Sequence, residues 1–224
     1  MGQHPKKALL AKILSRLEKA IPEAQTALLH RNPFELLVAT ILSAQCTDAR
    51  VNKVTPALFN TYKTVADFAK ADQTQLESII QSVNFYRNKA KAIIGTAKQI
   101  KETFSGIVPK TIEELTTLPG IGRKTANVVL GEAFGIPSIV VDTHVKRVAN
   151  RLQLTQSSDP DQIEFDLMPL MPRSKWISGA FRLLLHGRHV CLARGPRCLT
   201  CPLFDLCPAE QEKTIAENRF KKGL

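Results

Sequence analysis

Long apolar runs are missing from these 224 residues, and none approaches the ~18–20 residues that a membrane-spanning helix needs. The opening Met1-Gly2-Gln3-His4-Pro5-Lys6-Lys7 has basic residues but no signal-like apolar core, which argues against secretion and predicts a reducing, cytoplasmic setting. Long linkers, low-complexity tracts and tandem repeats are also wanting. So are strand signals: Ile139-Val140-Val141 is the only β-branched run, too short and isolated to found a sheet.

Acidic residues are in the minority, 20 against 31 Lys and Arg, for a formal net charge of +11. The excess forms no basic tail. Residues 1–25 hold 5 basic and 2 acidic groups, residues 26–136 hold 13 and 9, and residues 137–224 hold 13 and 9. A polyanionic partner, most simply nucleic acid, follows, with its positive surface assembled by folding. At 44% hydrophobic and 23% charged residues the composition is that of a globular chain, not a disordered one.

What is present reads as helix. Leu9, Leu10, Ile13, Leu14 and Leu17 recur at helical spacing, with Lys12, Arg16 and Lys19 opposite. Asn32-Pro33 is an N-cap with a first-turn proline, and Thr47 and Thr64 open further helices. Others are expected over 73–81, 89–104, 111–117, 123–134, 143–152, 160–168 and 174–185, with a cysteine-rich loop from about His186 to Pro208. The fold class is all-α, with roughly ten helices.

Cys191, Cys198, Cys201 and Cys207 are spaced C-x6-C-x2-C-x5-C. A reducing compartment disfavours disulfides. Four thiolates suit either a closed zinc site or a [4Fe–4S] cluster, and the spacing leaves the two open. Cys46 stands apart after an apolar helix and reads as a small core residue.

Leu118-Pro119-Gly120-Ile121-Gly122-Arg123-Lys124 joins two helices by a glycine turn. Glycines permit a sharp turn and close approach of another molecule, and the following helix N-terminus favours an anion. This helix-hairpin-helix suits a DNA phosphate gripped without base reading. Lys124 lies in the first turn, where Arg123 and the positive helix end both favour a neutral amine able to attack a carbon electrophile; phosphate binding is its other role. Asp142, before Thr143-His144, reads as an N-cap, or as a carboxylate that stabilises an oxocarbenium-like transition state.

Four segments in order, Leu42–Asp48 (LSAQCTD), Leu118–Leu130 (LPGIGRKTANVVL), Val141–Val145 (VDTHV) and Leu185–Arg188 (LHGR), lead into the cysteines. Together they resemble the endonuclease III family, bifunctional DNA glycosylases of the helix-hairpin-helix superfamily. The resemblance implies a six-helix domain over 26–136 that carries the hairpin. It implies a second domain, 1–25 plus 137–224, with a [4Fe–4S] cluster on the four cysteines. It also implies a DNA cleft where Lys124 and Asp142 converge, removal of oxidised pyrimidines, and strand nicking at abasic sites through a lysine Schiff base.

Gln45 matches the family glutamine that fills the gap left by a flipped nucleotide. Phe85 stands at the position of the inserted wedge, core packing being its other reading. Leu118, Gly120, Ile121, Gly122 and Arg123 in the hairpin, and Arg188, Arg194 and Arg197 near the cysteines, are expected to contact DNA. The partner is double-stranded DNA with damaged bases or abasic sites, bound by a monomer in a bacterial or archaeal cytoplasm, with no membrane. One departure is Asn84, where the family usually has glycine; asparagine tolerates a left-handed backbone. The alternatives are a monofunctional relative, which lacks the lysine, and a DNA-binding module without catalysis, which needs neither Lys124 nor Asp142. The adenine-removing relatives carry a further C-terminal domain, whereas this sequence ends soon after its cysteines.

Overall fold

The computed structural model describes residues 3–221, which form twelve α-helices and short 3-10 turns. The helices are α1 (Gln3–Ala20), α2 (Pro33–Ser43), α3 (Asp48–Thr61), α4 (Val65–Ala69), α5 (Gln73–Ile80) and α6 (Tyr86–Thr103). They continue as α7 (Ile112–Thr117), α8 (Arg123–Phe134), α9 (Thr143–Arg151), α10 (Pro160–Leu167), α11 (Trp176–His189) and α12 (Glu210–Lys221). There is no strand among the described residues; Ile139, Val140 and Val141 are buried in chain without regular secondary structure. No described helix is long and apolar enough to cross a membrane. The chain divides into two compact units, Thr26–Ile136, and Met1–Gln25 with Pro137–Leu224.

Thr26–Ile136 holds seven helices, α2 to α8, two of them (α4 and α7) under two turns long. Asn32 caps α2 by accepting from the Glu35 N–H at 2.9 Å, and Pro33 takes the first helical position, where no donor is needed. Every residue from Phe34 to Leu42 is buried, as a helix at the centre of a core requires. Phe68 sits among Phe34, Phe59 and Tyr62, with ring centroids 5.3, 6.4 and 5.1 Å away. Thr64 and Asp67 close a capping box that starts α4 and so sets Phe68 in place.

The other unit packs α1 through Leu10, Ile13 and Leu17, all fully buried, in one core with Val145, Val148 and Leu183. Arg16 of α1 pairs with Asp205 and donates to the Pro202 carbonyl at 3.0 Å, tying the helix to the cysteine loop. Helix α11 runs on through His186-Gly187-Arg188-His189, where sequence reading expected loop. Gly187 lets it approach α9: an added Cβ would lie 2.9 Å from the His144 Cβ and 3.1 Å from its carbonyl oxygen. Gly187→Ala must therefore push two helices apart, and is expected to cost about 1–3 kcal/mol. Thermal unfolding should show a loss of roughly 2–4 °C per kcal/mol; an unchanged midpoint would contradict this packing.

Candidate active site and cysteine loop

The hairpin between α7 and α8 belongs to the Thr26–Ile136 unit. Leu118 and Ile121 bury their side chains in the core, 2% and 5% exposed. Their side chains serve the core, so the main chain is what they leave to meet a ligand. Thr96 of α6 donates its hydroxyl to the Pro119 carbonyl at 2.8 Å, and Pro119 packs on Gly95. Gly120 has φ +77°, and an added Cβ would come within 2.9 Å of the Ala92 methyl, so the fold itself demands glycine there.

Gly122 is different. Its φ of −94° suits any residue, and an added Cβ would meet nothing within 4 Å. It begins α8 with no side-chain cap. Lys124 follows in the first helical turn with its side chain exposed, and Arg123 beside it is half-buried.

Gln45 and Phe85 lie on neighbouring loops of the same unit. Gln45, in the joint between α2 and α3, has φ 53°; Phe85, at the start of α6, has φ 57°. Phe85 is 60% exposed, which removes core packing as its role. The left-handed residue in that loop is Phe85, not Asn84. Asn84 instead donates its side-chain amide to the Gln45 carbonyl at 2.8 Å. Cys46 is half-buried against the unit's core.

Asp142 belongs to the other unit. It caps α9, its Oδ1 accepting from the N–H groups of His144 at 2.9 Å and Val145 at 2.8 Å. Both bonds land on one oxygen.

The four cysteines line one cavity in that unit, together with Arg151, His186 and Glu212. None of the four is paired in a disulfide. Among the described residues no three His, Cys, Asp or Glu side chains gather tightly enough to hold a single ion. Burial pushes the Cys201 thiol up to about 11, and raises Cys198 and Cys207 as well, with neighbouring cysteines adding to the effect. Buried thiols of this kind ionise only beside positive charge.

Several side chains that brace the loop went unnoticed in the sequence. Arg151 Nη1 donates to the Cys191 sulfur at 3.3 Å and to the Leu192 carbonyl at 2.7 Å, while its Nε meets Glu212 at 2.9 Å. Arg147 donates to the carbonyls of Gly187 at 2.7 Å and Cys191 at 2.9 Å, satisfying the end of α11. Buried His186 stands 3.7 Å from the Cys201 sulfur, and burial lowers its imidazole to about 4, so it is neutral at physiological pH. Helix α12, also unforeseen, supplies Glu212 and a carbonyl 3.6 Å from Cys198. Arg194 and Arg197 are exposed in the loop, and Arg188 is half-buried on the last turn of α11.

A family model described as "HhH-GPD superfamily base excision DNA repair protein" matches residues 38–173. Endonuclease III of Synechocystis sp. is 52% identical over 92% of this chain and 94% of its own length. Endonuclease III of Bacillus subtilis is 46% identical over 94% of each. The chain belongs to the endonuclease III family. A solved structure of a trapped endonuclease III–DNA covalent intermediate superimposes with a TM-score of 0.88 at 44% identity, covering 93% of this chain and 98% of that one. Membership makes the chain a DNA glycosylase of base excision repair and bears out the all-α helix-hairpin-helix fold. A thermostable thymine-DNA glycosylase, 22% identical with a TM-score of 0.81, shares the fold.

Proposed function

We propose that this endonuclease III relative removes oxidised pyrimidines from duplex DNA and nicks the resulting site by β-elimination through a Lys124 Schiff base. The observation that carries this reading is an exposed lysine in the first turn of α8, at a helix start left uncapped by Gly122. The hairpin main chain and the N-terminus of α8 hold a DNA phosphate, which sets register without reading sequence. Gly122 supports this, since nothing within the fold needs glycine there. Gly122→Ala is expected to melt like the parent and bind duplex DNA several-fold more weakly. Gly120→Ala, strained in φ and against Ala92, should lose about 1–3 kcal/mol of stability.

Once the damaged nucleotide is extruded, at a cost of a few kcal/mol, Gln45 fills the gap and Phe85 wedges the stack. The Lys124 amine attacks C1′ and the N-glycosidic bond breaks, the base leaving with the electron pair and taking up a proton. Opening of the sugar ring gives the protonated imine. That imine withdraws electrons from C2′, a proton leaves there, and the 3′ phosphate departs, nicking the strand. Asp142, with Oδ1 occupied by the α9 cap, offers Oδ2 to take the lysine proton and to stabilise positive charge on the sugar. The reaction requires both residues to act on one sugar.

The cysteine cavity fits a [4Fe–4S] cluster better than zinc. One zinc needs all four sulfurs within about 2.3 Å, whereas each corner of a cluster takes one thiolate. Four cysteines spread around one cavity match the latter. The cluster, when bound, supplies the positive charge that keeps buried thiolates ionised and orders the loop. Exposed Arg194 and Arg197, with Arg188, then face the DNA backbone, in an association that weakens steeply with salt.

The test is a duplex with a single oxidised pyrimidine. Base release and nicking should rise together. Release without nicking would make the protein monofunctional, and binding without release would make it a DNA-binding module.

A further inference from the structure

The α2–α3 joint and the entry to α6 are stitched together by two side chains from the second segment. Asn84 Nδ2 donates to the Gln45 carbonyl at 2.8 Å. Buried Lys89 donates its ammonium to the carbonyls of Leu42 at 2.8 Å and Ala44 at 2.6 Å. The Ser43 carbonyl accepts from the Cys46 N–H at 3.0 Å, so every carbonyl from Leu42 to Gln45 is engaged. On either side of this seam stands a left-handed residue, Gln45 or Phe85, whose side chain is exposed. Non-glycine residues keep that backbone only where their surroundings enforce it.

We propose that Asn84 and Lys89 are positioning residues that join Gln45 and Phe85 into one preformed insertion unit, so that gap-filler and wedge enter the duplex in a fixed mutual geometry. The proposal rests on the roles given to Gln45 and Phe85 above. Lys89 secures the last carbonyls of α2 from within the core, which fixes the joint whether or not DNA is bound. Asn84 adds the link at the exposed rim, from the residue before the wedge to the backbone of the gap-filler. A glycine in its place would offer no side chain to make that bond. Ordering two loops before binding removes that entropy from the binding step. The effect therefore falls on recognition of an opened duplex and leaves the lysine chemistry alone.

Asn84 is exposed, so its substitution leaves the core intact. The experiment compares the affinities of the parent, Asn84→Ala, Asn84→Leu, Gln45→Ala, Phe85→Ala and the Asn84→Ala/Gln45→Ala pair. Each is measured on a duplex with a tetrahydrofuran abasic analogue and on the same duplex undamaged. A 2-aminopurine opposite the analogue reports insertion. Both Asn84 variants should bind the analogue duplex about three- to tenfold more weakly, with a smaller fluorescence change. Binding to undamaged DNA and the single-turnover rate at saturating substrate should stay unchanged. In the Gln45→Ala background the Asn84 effect should shrink below about twofold.

Parent-like binding by the Asn84 variants, with Gln45→Ala and Phe85→Ala both weakened, would overturn the positioning role and leave the gap-filler and wedge standing. An equal loss in both backgrounds would overturn it too, since Asn84 would then act on DNA directly. Parent-like binding by Gln45→Ala and Phe85→Ala would remove the insertion roles themselves, and the proposal with them.

Discussion

Lys124→Gln is expected to lower base release on the order of 10³-fold or more and to abolish strand nicking altogether. Glutamine keeps the length and polarity of the chain but has no nucleophilic amine, so no covalent bond to C1′ forms. A thousandfold is about 4 kcal/mol of transition-state stabilisation, within the range that loss of a covalent nucleophile produces. Fold and affinity should survive. Lys124 is exposed, and the hairpin is held by Leu118, Ile121 and the Thr96–Pro119 bond, none of which involves its side chain. Single-turnover release and nicking on an oxidised-pyrimidine duplex, with binding to an uncleavable analogue as control, check this. Retained nicking would move the chemistry to another amine.

Cys201→Ser should cost the protein its brown colour, most of its iron and the order of the 190–208 segment. Cys201 is the most strongly shifted thiol, beside His186 and accepting from the Leu203 N–H at 3.4 Å. Serine is about the same size but a poor ligand for iron. Ligation of a structural metal contributes about 10 kcal/mol or more in small zinc domains, comparable with the ~5–15 kcal/mol net stability of a whole domain. Apolar burial adds little to the arginine braces: Leu203 and Pro196 are the loop's buried apolar residues, and α12 buries none. Iron analysis, visible absorption and a thermal melt should all change together. Cys46→Ser, in the other unit, should keep colour and iron. A colourless parent that contains zinc would overturn the cluster.

The sequence was most legible where a local rule decides the structure. Asn32-Pro33, Thr47 and Thr64 cap the helices they announce, because a short side-chain oxygen meets its own first turn. The glycine turn before α8 is equally local. Helix α12 went unread because it has no apolar stripe; its first turn has Glu210 and Glu212 and its last Arg219 and Lys221, which complement the dipole without burying anything. The continuation of α11 was hidden by Gly187, which reads as a breaker and serves as a contact point with α9.

Long-range partners left no trace at all. Arg151 finds Cys191 and Glu212 at separations of 40 and 61 residues, Arg147 finds Gly187 at 40, and Asn84 finds Gln45 at 39. An arginine in a basic protein looks like any other until the fold brings its acceptor to it. Asn84 is the clearest case: the residue type pointed to a left-handed backbone, but the bond its side chain makes is what the structure adds.

The most direct test of the central claim is borohydride reduction during turnover of an oxidised-pyrimidine duplex, followed by peptide mapping of the adduct. Reduction converts the imine to a stable secondary amine and leaves the sugar on whichever residue attacked. The account predicts a protein–DNA adduct formed as base is released, with the modified peptide carrying the sugar on Lys124. Base release with no adduct, or an adduct mapped to any other amine, would contradict it.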